Sequence, residues 1–392
     1  MTDSADVVII GAGIHGAGIA QAAAAAGHSV LVLEQSAIAA GSSSRSSKLI
    51  HGGLRYLESG QWHLVRESLQ ERALLLRLAP ELVKLQKFHI PVYRHTRRRP
   101  WQLRIGLSLY ALLAGLDRSA QFGTVPRSQW GALDGLDTHE LEQVYWYHDA
   151  QTDDALLTAA VVRSAQALGA RLAMPARFVG ATLEAATVQV RYAQDGREHQ
   201  CRARVLVNAA GPWAGALTHT ITPAVAVPVL QLVQGTHILI DYQPQAGFYY
   251  LESPRDGRAI FVMPWKGHTL VGTTEVRYRG DPSDVQPAAH EVHYLQGVLH
   301  HYFPHWRGHS SPALLGSFAG LRVLPGGGKE HAFHRSRETM LSSDRAQRPR
   351  VLSVYGGKLT TWRAVAQRAL QQLAASLPQR PAVARTDQLM LR

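Results

Sequence analysis

Uninterrupted apolar segments and a helix-forming stretch alternate at the start of the chain. Val7–Ile10 and Val30–Leu33 contain no polar residue, a pattern typical of strands buried on both faces of a parallel sheet. The alanine-rich stretch Ala17–Ala26 lies between them and favours a helix, which Gly27 is placed to end. The pattern predicts a βαβ unit and therefore an α/β fold.

Two further helices are predicted in the next part of the chain. Leucines recur near a helical period over Gln61–Leu85, and Pro80 is expected to interrupt or end that helix. The apolar run Ile105–Leu116 is shorter than the roughly twenty residues that cross a bilayer. The basic stretch Arg94–Arg104 leads into it, so the two together fit an interfacial membrane anchor or a buried helix behind a solvated arginine loop.

The second half of the chain changes to short β-branched segments bounded by turns. Thr236–Ile240, Arg258–Met263 and His268–Thr273 predict antiparallel strands, the last two joined as a hairpin. Val351–Tyr355 predicts one more buried strand. The diglycine Gly356–Gly357 follows, and then a helix is expected to start, with Lys358 in its first turn and its free N–H groups facing an electron-rich ligand.

Two adjacent carboxylates, Asp153 and Asp154, precede the predicted helix Ala155–Ala167. Acids in the first turn accept backbone N–H bonds and suit the helix dipole, so we expect them to cap this helix. The alternative is a catalytic carboxylate pair.

Spaced glycines connect the first strand to the first helix. Gly11 permits a tight turn, Gly13 lets the backbone approach a pyrophosphate, and Gly16 lets the helix pack closely on its strand. Glu34 ends the second strand about twenty residues later, where a carboxylate holds a ribose hydroxyl and repels a 2′-phosphate. The spacing predicts a dinucleotide site for FAD or NAD.

A hydroxyl-rich loop at 42–48 leads into an Ile-His-Gly-Gly turn. The run Ser46–Glu58 resembles, almost letter for letter, the segment beside the flavin in FAD-dependent sn-glycerol-3-phosphate dehydrogenases, within the D-amino-acid-oxidase-like group. The resemblance implies FAD as cofactor and a Rossmann-like FAD-binding domain interleaved with an antiparallel-sheet substrate domain. Further similar pieces, the last two of them looser, are Gly235–Ile238, Val271–Glu275, Val351–Trp362, Ala319–Leu324 and Ala332–Arg335.

The resemblance also implies roles in hydride transfer from an alcohol carbon to the flavin, giving dihydroxyacetone phosphate from sn-glycerol 3-phosphate. Arg55, Arg335 and Lys358 are assigned to the substrate phosphate, and Arg322 to the reacting oxygen. Tyr56 is expected to orient the substrate.

His51 and His237 are the alternative bases, because a neutral imidazole accepts protons near pH 7. The implied cofactor-binding residues are Gly11, Gly13, Ile14, His15, Gly16, Glu34, Gln35, Ser43, Ser44, Ser47, Lys48, Leu49, His51, Gly52, Gly53, Phe178, Val179, Asn208, Ala209, Gly211, Trp213, Arg322, Gly357, Lys358, Leu359 and Thr360.

The composition fits an ordered chain of two interlocked domains, with 392 residues, 46% of them hydrophobic and 18% charged. The single cysteine, Cys201, excludes an internal disulfide and suits a reducing compartment. Met1–Asp6 carries no secretory signal, so we expect a cytoplasmic protein. The predicted domain limits are 1–75, 150–215 and 350–392 for the FAD-binding domain, and 76–149 and 216–349 for the substrate domain.

The charge balance favours anionic partners, since 41 Lys and Arg against 29 Asp and Glu give a net charge of +12. The expected substrate is a small phosphate. The resemblance implies peripheral contact with the inner face of the cell membrane near 94–116, and electron transfer to quinone or another acceptor. No basic stripe with interleaved aromatic residues is present, so no nucleic-acid partner is predicted, and the oligomeric state is left open.

Three other functions fit parts of the pattern. A flavin oxidase or dehydrogenase of a 2-hydroxy or amino acid would use the same arginines for a carboxylate. A tRNA-modifying enzyme of the same fold would fit the charge, and a flavin-bound membrane adaptor would not need His51, Arg55 or Lys358.

The resemblance runs from Val7 to Leu377, and the family continues into a helical domain beyond Arg392, which bears on dimerisation, membrane docking and quinone delivery.

Overall fold

The computed structural model describes residues 3–326 and 339–392 of the chain. Its helices are α1 (Ile14–Ala25), α2 (Trp62–Leu78), α3 (Pro100–Leu113), α4 (Asp154–Ala167), α5 (Ala214–Thr218), α6 (Ala289–Tyr302) and α7 (Trp362–Leu373). Its strands are β1 (Asp3–Ile10), β2 (Val30–Leu33), β3 (Leu49–Ile50), β4 (Val83–Tyr93), β5 (Phe122–Thr124), β6 (Leu141–Thr152), β7 (Arg171–Ala173), β8 (Arg177–Leu183), β9 (Val188–Gln194), β10 (Arg197–Asn208), β11 (Ile221–Thr222), β12 (Leu230–Ile240), β13 (Phe248–Glu252), β14 (Ala259–Trp265), β15 (His268–Gly272), β16 (Val276–Tyr278), β17 (Leu314–Pro325), β18 (Met340–Ser343) and β19 (Val351–Tyr355).

The first sheet is built around a parallel set of strands. β1 pairs with β2 on one side and with β10 on the other, and β7 and β19 extend the set beyond them. The apolar segments of β1 and β2 are buried on both faces, since α1, α4 and α7 cover one face and the β8–β10 meander packs on the other. The predicted βαβ unit is therefore confirmed in β1, α1 and β2.

The second sheet is larger and mostly antiparallel. Its strands follow the order β16, β12, β15, β14, β13, β4, β6 and β3, while β17 also pairs with β12 and β5 with β6. The predicted strands of the second half lie within β12, β14 and β15, and the hairpin turns at Lys266–Gly267, where both residues have positive φ. The α/β class, with a Rossmann-like sheet interleaved with an antiparallel sheet, is confirmed.

The chain crosses repeatedly between the two sheets. β3 joins the second sheet from within the predicted FAD segment 1–75, whereas β11 and β18 join the first sheet from predicted substrate segments. The domain limits themselves stay a prediction. The crossings bring the loops after β1, β10 and β19 next to side chains of β12, β14 and β17.

The limits of two helices differ from prediction. α2 ends at Leu78, two residues before Pro80, and the residues from Val83 to Leu85 that were expected to continue it belong to β4. α7 begins at Trp362, so Lys358, expected in the first turn of this helix, precedes it. Gly356 and Gly357 have φ of +74° and +106°, which a right-handed helix excludes. The diglycine is therefore part of a loop ahead of the helix.

The capping prediction is confirmed for Asp153. Its Oδ1 accepts hydrogen bonds from the backbone N–H groups of Ala155 and Leu156 at 3.1 and 3.2 Å. Asp154 is the first residue of α4, and its buried carboxylate turns toward the 42–48 loop.

Candidate active site

A cavity of about 610 Å³ lies where the two sheets meet. Backbone loops of the first sheet form one side of it, and side chains of the second sheet form the other. The predicted site residues that line it are Gly11, Gly13, Ile14, His15, Glu34, Gln35, Ser43, Ser47, Leu49, His51, Gly53, Arg55, Tyr56, Phe178, Ala209, Gly211, Trp213, His237, Arg322, Gly357, Lys358, Leu359 and Thr360.

The glycine turn between β1 and α1 permits close backbone approach. Gly11 has a φ of +96°, and a Cβ at this position would lie 2.9 Å from the backbone oxygen of Ala209. At the start of α1, the N–H of Ile14 donates to Oγ of Ser43 at 2.9 Å, so a hydroxyl lies where a helix N-terminus favours an anion. This arrangement fits the pyrophosphate of FAD.

Glu34 lies at the end of β2 with its carboxylate at the cavity wall. Its Oε2 accepts from the N–H of Ala12 at 2.8 Å, and its Oε1 accepts from the N–H of Ser36 at 2.9 Å. Oε1 also accepts from the Ser36 hydroxyl at 3.2 Å, whereas the second lone pair of Oε2 is available to a ribose hydroxyl donor. The residues therefore fit the adenosine half of FAD.

The remaining predicted cofactor residues in the described part of the chain lie behind the cavity wall: Gly16, Ser44, Lys48, Gly52, Val179 and Asn208. Gly16 packs α1 on its strand, since a Cβ there would lie 2.0 Å from the oxygen of Gly11. Asn208 donates through Nδ2 to the oxygen of Ala214 and to Oγ1 of Thr218, which fixes the turn after β10.

Lys48 is a support for the 42–48 loop and not part of the cavity wall. Its φ is +60°, and its Nζ pairs with Oδ1 of Asp154 at 2.7 Å and donates to the oxygen of Ser44. Both charged groups are buried, and Asp154 also accepts from the N–H and hydroxyl of Ser46. The pair therefore holds the hydroxyl-rich loop on α4.

The backbone of His51 meets the loop that follows β19. Its N–H donates to Oγ1 of Thr360 at 3.1 Å, and that hydroxyl donates back to the His51 oxygen at 3.3 Å. A Cβ on Gly357 would lie 2.1 Å from Nε2 of His15, so the same loop also reaches the start of α1. Burial lowers the pKa of His15 to about 4, which keeps this imidazole neutral beside the loop.

Cationic side chains line the cavity in two groups, one around Tyr56 and one beside Thr273 and Glu275. Nζ of Lys358 lies 3.8 Å from the ring centroid of Tyr56, and the guanidinium carbon of Arg55 lies 5.8 Å from the same centroid. Arg322 donates through Nη2 to Oγ1 of Thr273 at 3.3 Å, and its Nη1 lies 4.0 Å from Oε2 of Glu275. Arg335, the remaining predicted cation, lies outside the described residues.

His237 is buried between the 42–48 loop and β17. Its Nε2 lies 2.9 Å from Oγ of Ser47, and its ring stacks on Phe318 with centroids 4.9 Å apart. Burial, and then the charges of Arg322 and Lys48, lowers the pKa of His237 to about 3. The ring is neutral at physiological pH, as predicted, but such a pKa makes it a weak proton acceptor.

Comparison with known proteins matches residues 6–367 to the DAO family model, described as FAD dependent oxidoreductase. The chain belongs to the DAO family. Its FAD cofactor, predicted from the glycine fingerprint and the flavin-side segment, is thereby confirmed.

Among DAO-family relatives, the glycerol-3-phosphate dehydrogenase of Pseudomonas aeruginosa is 36% identical over 373 residues, covering 94% of this chain and 71% of the relative. The D-erythritol 1-phosphate dehydrogenase of Brucella abortus is 34% identical over 383 residues, covering 96% of this chain and 75% of the relative. The crystal structure of the glycerol-3-phosphate dehydrogenase from Bacillus halodurans complexed with FAD superposes with a TM-score of 0.75 at 26% identity, covering 99% of this chain and 68% of that one.

Arg258 is a cavity residue to which the sequence pattern gave no role at the site. It precedes β14, lines the cavity, and donates through Nη1 to the backbone oxygen of Glu275 at 3.2 Å. Glu275 lines the cavity too, with its side chain only 4% exposed. The sequence predicted Arg258 only as the first residue of the strand Arg258–Met263, and the pairing of that strand brings it to the site.

The surface helix α3 combines an apolar outer face with nearby arginines. Trp101, Ile105 and Leu112 on this helix, and Leu116 just after it, are each more than half exposed. Two arginines of the preceding loop are engaged elsewhere, Arg98 with Glu58 and Glu252, and Arg99 with Glu142. No helix in the described ranges, 3–326 and 339–392, has the length and apolar content to cross a membrane.

Proposed function

We propose that this chain oxidises sn-glycerol 3-phosphate to dihydroxyacetone phosphate with FAD as the oxidant. The observation that carries the proposal is the cationic part of the cavity wall, formed by Arg55, Arg258, Arg322 and Lys358. A phosphate dianion needs such a set of charge-assisted donors, whereas an amino acid carboxylate presents half the charge. The names of the relatives from Pseudomonas aeruginosa and Brucella abortus, both dehydrogenases of phosphate-ended polyols, support the same substrate class.

In this proposal the cationic side chains have different roles, which follow from their positions. Arg55 and Lys358 lie around the ring of Tyr56 and bind the phosphate, with Tyr56 as the apolar floor that orients the substrate. Arg322 lies by Thr273 and holds the reacting oxygen, where it stabilises negative charge that develops as the proton leaves. Arg335, predicted for the phosphate, stays a prediction because it lies outside the described residues.

We propose that His51 is the base that accepts the proton of the substrate hydroxyl. The Thr360 hydroxyl bonds to both the backbone N–H and the backbone oxygen of His51, and His51 lines the cavity. His237 is less suited, because its pKa near 3 makes it a weak base and its Nε2 already engages Ser47. In the proposal His237 instead orients the hydroxyl of Ser47.

FAD, when bound, supplies the two-electron acceptor for the hydride of the alcohol carbon. Gly11, Gly13 and Ile14 would hold its pyrophosphate and Glu34 its ribose. The loop from Gly357 to Thr360 would face the isoalloxazine, with Lys358 adding positive charge near the part of the ring that becomes electron-rich.

The deciding experiment mixes the holoenzyme anaerobically with candidate substrates and follows the absorbance of oxidised flavin. We expect sn-glycerol 3-phosphate to bleach the flavin rapidly. D-erythritol 1-phosphate is the second candidate, favoured by the Brucella abortus relative, and faster bleaching by it would move the assignment to a longer polyol phosphate. Bleaching by glycine or a 2-hydroxy acid alone would overturn the phosphate proposal, and no bleaching by any of them would favour the adaptor.

We also propose that α3 docks on a membrane surface rich in anionic lipid. Trp101, Ile105 and Leu112 would enter the acyl boundary, while exposed Arg97 and Arg104 would contact headgroups. Quinone is the proposed electron acceptor, since it is dissolved in the same phase.

The docking proposal is tested by sedimentation with phosphatidylglycerol vesicles. We expect Ile105→Asp to release the protein from the vesicles, while Val383→Asp, an equally exposed apolar site on the C-terminal segment, retains binding. Equal binding of both variants would contradict docking through α3. Reduction of a soluble quinone by substrate-reduced enzyme, compared with reduction of oxygen, tests the acceptor separately.

A further inference from the structure

A buried polar cluster lies directly behind the turn 51–53. Tyr110 of α3 and Asp149 of β6 both accept from the backbone N–H of Gly52, and Arg72 of α2 pairs with Asp149 behind them. The N–H donates to the hydroxyl of Tyr110 at 2.9 Å and to Oδ1 of Asp149 at 3.2 Å. We define these three side chains as the Gly52 anchor.

The hydrogen bonds within the anchor have a fixed direction. Tyr110 donates its hydroxyl proton to Oδ1 of Asp149 at 2.8 Å, which leaves its oxygen as the acceptor for Gly52. Burial, and then the Asp149 carboxylate, raises the pKa of Tyr110 well above its ordinary value, so this proton is retained. Arg72 pairs with the same Oδ1 at 2.5 Å and is 1% exposed.

Arg72 also ties the anchor to the surrounding chain. Its Nη1 donates to the oxygen of His148 at 2.8 Å and its Nη2 to the oxygen of Ser119 at 2.9 Å. A buried ion pair of this kind is a poor source of stability, because desolvation offsets most of the attraction between the charges. The hydrogen bonds of Nη1 and Nη2 nevertheless impose one geometry on the groups that the cluster holds.

The geometry imposed is that of the turn facing the flavin site. Thr360 holds both polar backbone groups of His51, and the anchor holds the next N–H, so two consecutive residues are fixed from opposite sides. Gly52 must be glycine for this contact, since a Cβ would lie 2.4 Å from the Tyr110 hydroxyl. His51 and Gly53 line the cavity on either side of the held amide.

We propose that Arg72, Tyr110 and Asp149 are positioning residues that set FAD affinity and flavin environment by holding the turn 51–53. They act through the backbone of Gly52, while substrate contacts belong to other residues. The inference rests on FAD binding alone, so it stands or falls independently of the substrate proposed above.

The test uses holoenzyme and measures FAD release on dilution, the visible flavin spectrum and the unfolding temperature. We expect Tyr110→Phe to raise the Kd for FAD about tenfold, the effect of one lost buried hydrogen bond, and to shift the flavin absorption band. Tyr302→Phe is the matched control, because Tyr302 is equally buried and donates its hydroxyl to the backbone oxygen of Glu252 in another core cluster. The control is expected to keep the wild-type Kd and spectrum.

A double variant separates the effect on the position of the turn 51–53 from the effect on the stability of the fold. Arg72→Leu with Asp149→Leu removes both buried charges together, so the fold is expected to keep an unfolding temperature near that of the wild type. FAD affinity is still expected to fall about as far as in Tyr110→Phe, because the amide of Gly52 loses Asp149 as an acceptor and the Tyr110 hydroxyl loses the carboxylate that orients it. Wild-type FAD affinity and spectrum in Tyr110→Phe or in a folded double variant would overturn the proposal, as would an equal loss in Tyr302→Phe.

Discussion

The two ends of the cavity are formed by different kinds of chemical group. The adenosine end consists of backbone N–H groups and of glycines, which have no side chain. Glu34 is the charged group described there, and it lies close in the chain to Gly11 and Ser43. The other end consists of charged side chains that arrive from separate segments, such as Arg55, Arg258 and Arg322. An end made of backbone serves one cofactor, whereas an end made of side chains can be changed one residue at a time.

The sharpest separation of the two ends is expected from Arg322→Ala. Loss of the cation at the reacting oxygen should lower kcat about 100- to 1000-fold, comparable to removal of one oxyanion donor. FAD content and the flavin spectrum should stay at wild-type levels, because this residue belongs to the substrate end. Arg385→Ala, at an exposed arginine paired with Asp387, is the control, and normal turnover in Arg322→Ala would remove it from the mechanism.

The adenosine end is probed by a pair of glycines with the same backbone conformation. Gly11 and Gly169 both have φ of +96°, but a Cβ would crowd Ala209 at Gly11 and meets no atom within 4 Å at Gly169. We expect Gly11→Ala to weaken FAD binding about 10- to 100-fold, the loss of one or two charge-assisted hydrogen bonds to phosphate. Gly169→Ala should introduce a similar backbone strain and leave FAD affinity unchanged, as measured by flavin fluorescence. An equal loss of FAD affinity in both variants would contradict the close-approach role of Gly11.

Arg258→Met sharpens the comparison within the substrate end. Because Arg258 already donates to the backbone of Glu275, we expect it to supply one partial contact to the phosphate. KM should rise about tenfold with a smaller change in kcat, as for an interaction made equally in ground and transition states. Arg255→Met, at an exposed arginine in the same turn, should keep the wild-type KM; an unchanged KM in Arg258→Met would exclude this residue from the phosphate site.

The last prediction concerns His237, whose substitution is expected to change stability and leave turnover unchanged. Burial lowers its pKa from the ordinary 6.5 to about 3, so between these values the unfolded chain binds a proton that the folded chain does not. Its stabilising contribution is therefore complete above pH 6.5 and is lost as pH falls toward 3, at about 1.4 kcal/mol per pH unit.

Urea unfolding at pH 7 and pH 5 measures this slope. His237→Gln should lose less stability on acidification than the wild type does. Its pH profile of kcat/KM from pH 6 to pH 9 should keep the wild-type shape, and a displaced acid limb would restore His237 as the base.

The same contrast explains what could be predicted from the sequence. The first strand, the glycine turn and Glu34 depend on neighbouring residues, so the adenosine end follows from local pattern. Asp153 was likewise predictable, because a helix cap is a local feature. The helix predicted to start at Lys358 begins instead at Trp362, and the loop between them is held by a tertiary contact of Thr360 with His51, which composition does not reveal.

Roles set by tertiary contacts escaped prediction. Lys48 was predicted among the cofactor residues from local sequence, and the pairing of its side chain with Asp154, more than a hundred positions later, could not be read there. Arg258 carried no motif of its own, and Tyr110 was hidden in an apolar run. In each case the deciding partner comes from another element, and a single sequence does not show which elements meet.

The repeated crossing of the chain between its two sheets limits how such an enzyme can be re-engineered or can diversify. A short piece such as β3 belongs to one sheet while its chain neighbours belong to the other, so no contiguous cut releases the cationic wall as a transplantable unit. Exchange of long segments between relatives would break strand pairing in both sheets at once. New substrate preferences in this architecture are therefore expected to arise by point substitution at the cavity wall, with the flavin cradle inherited intact.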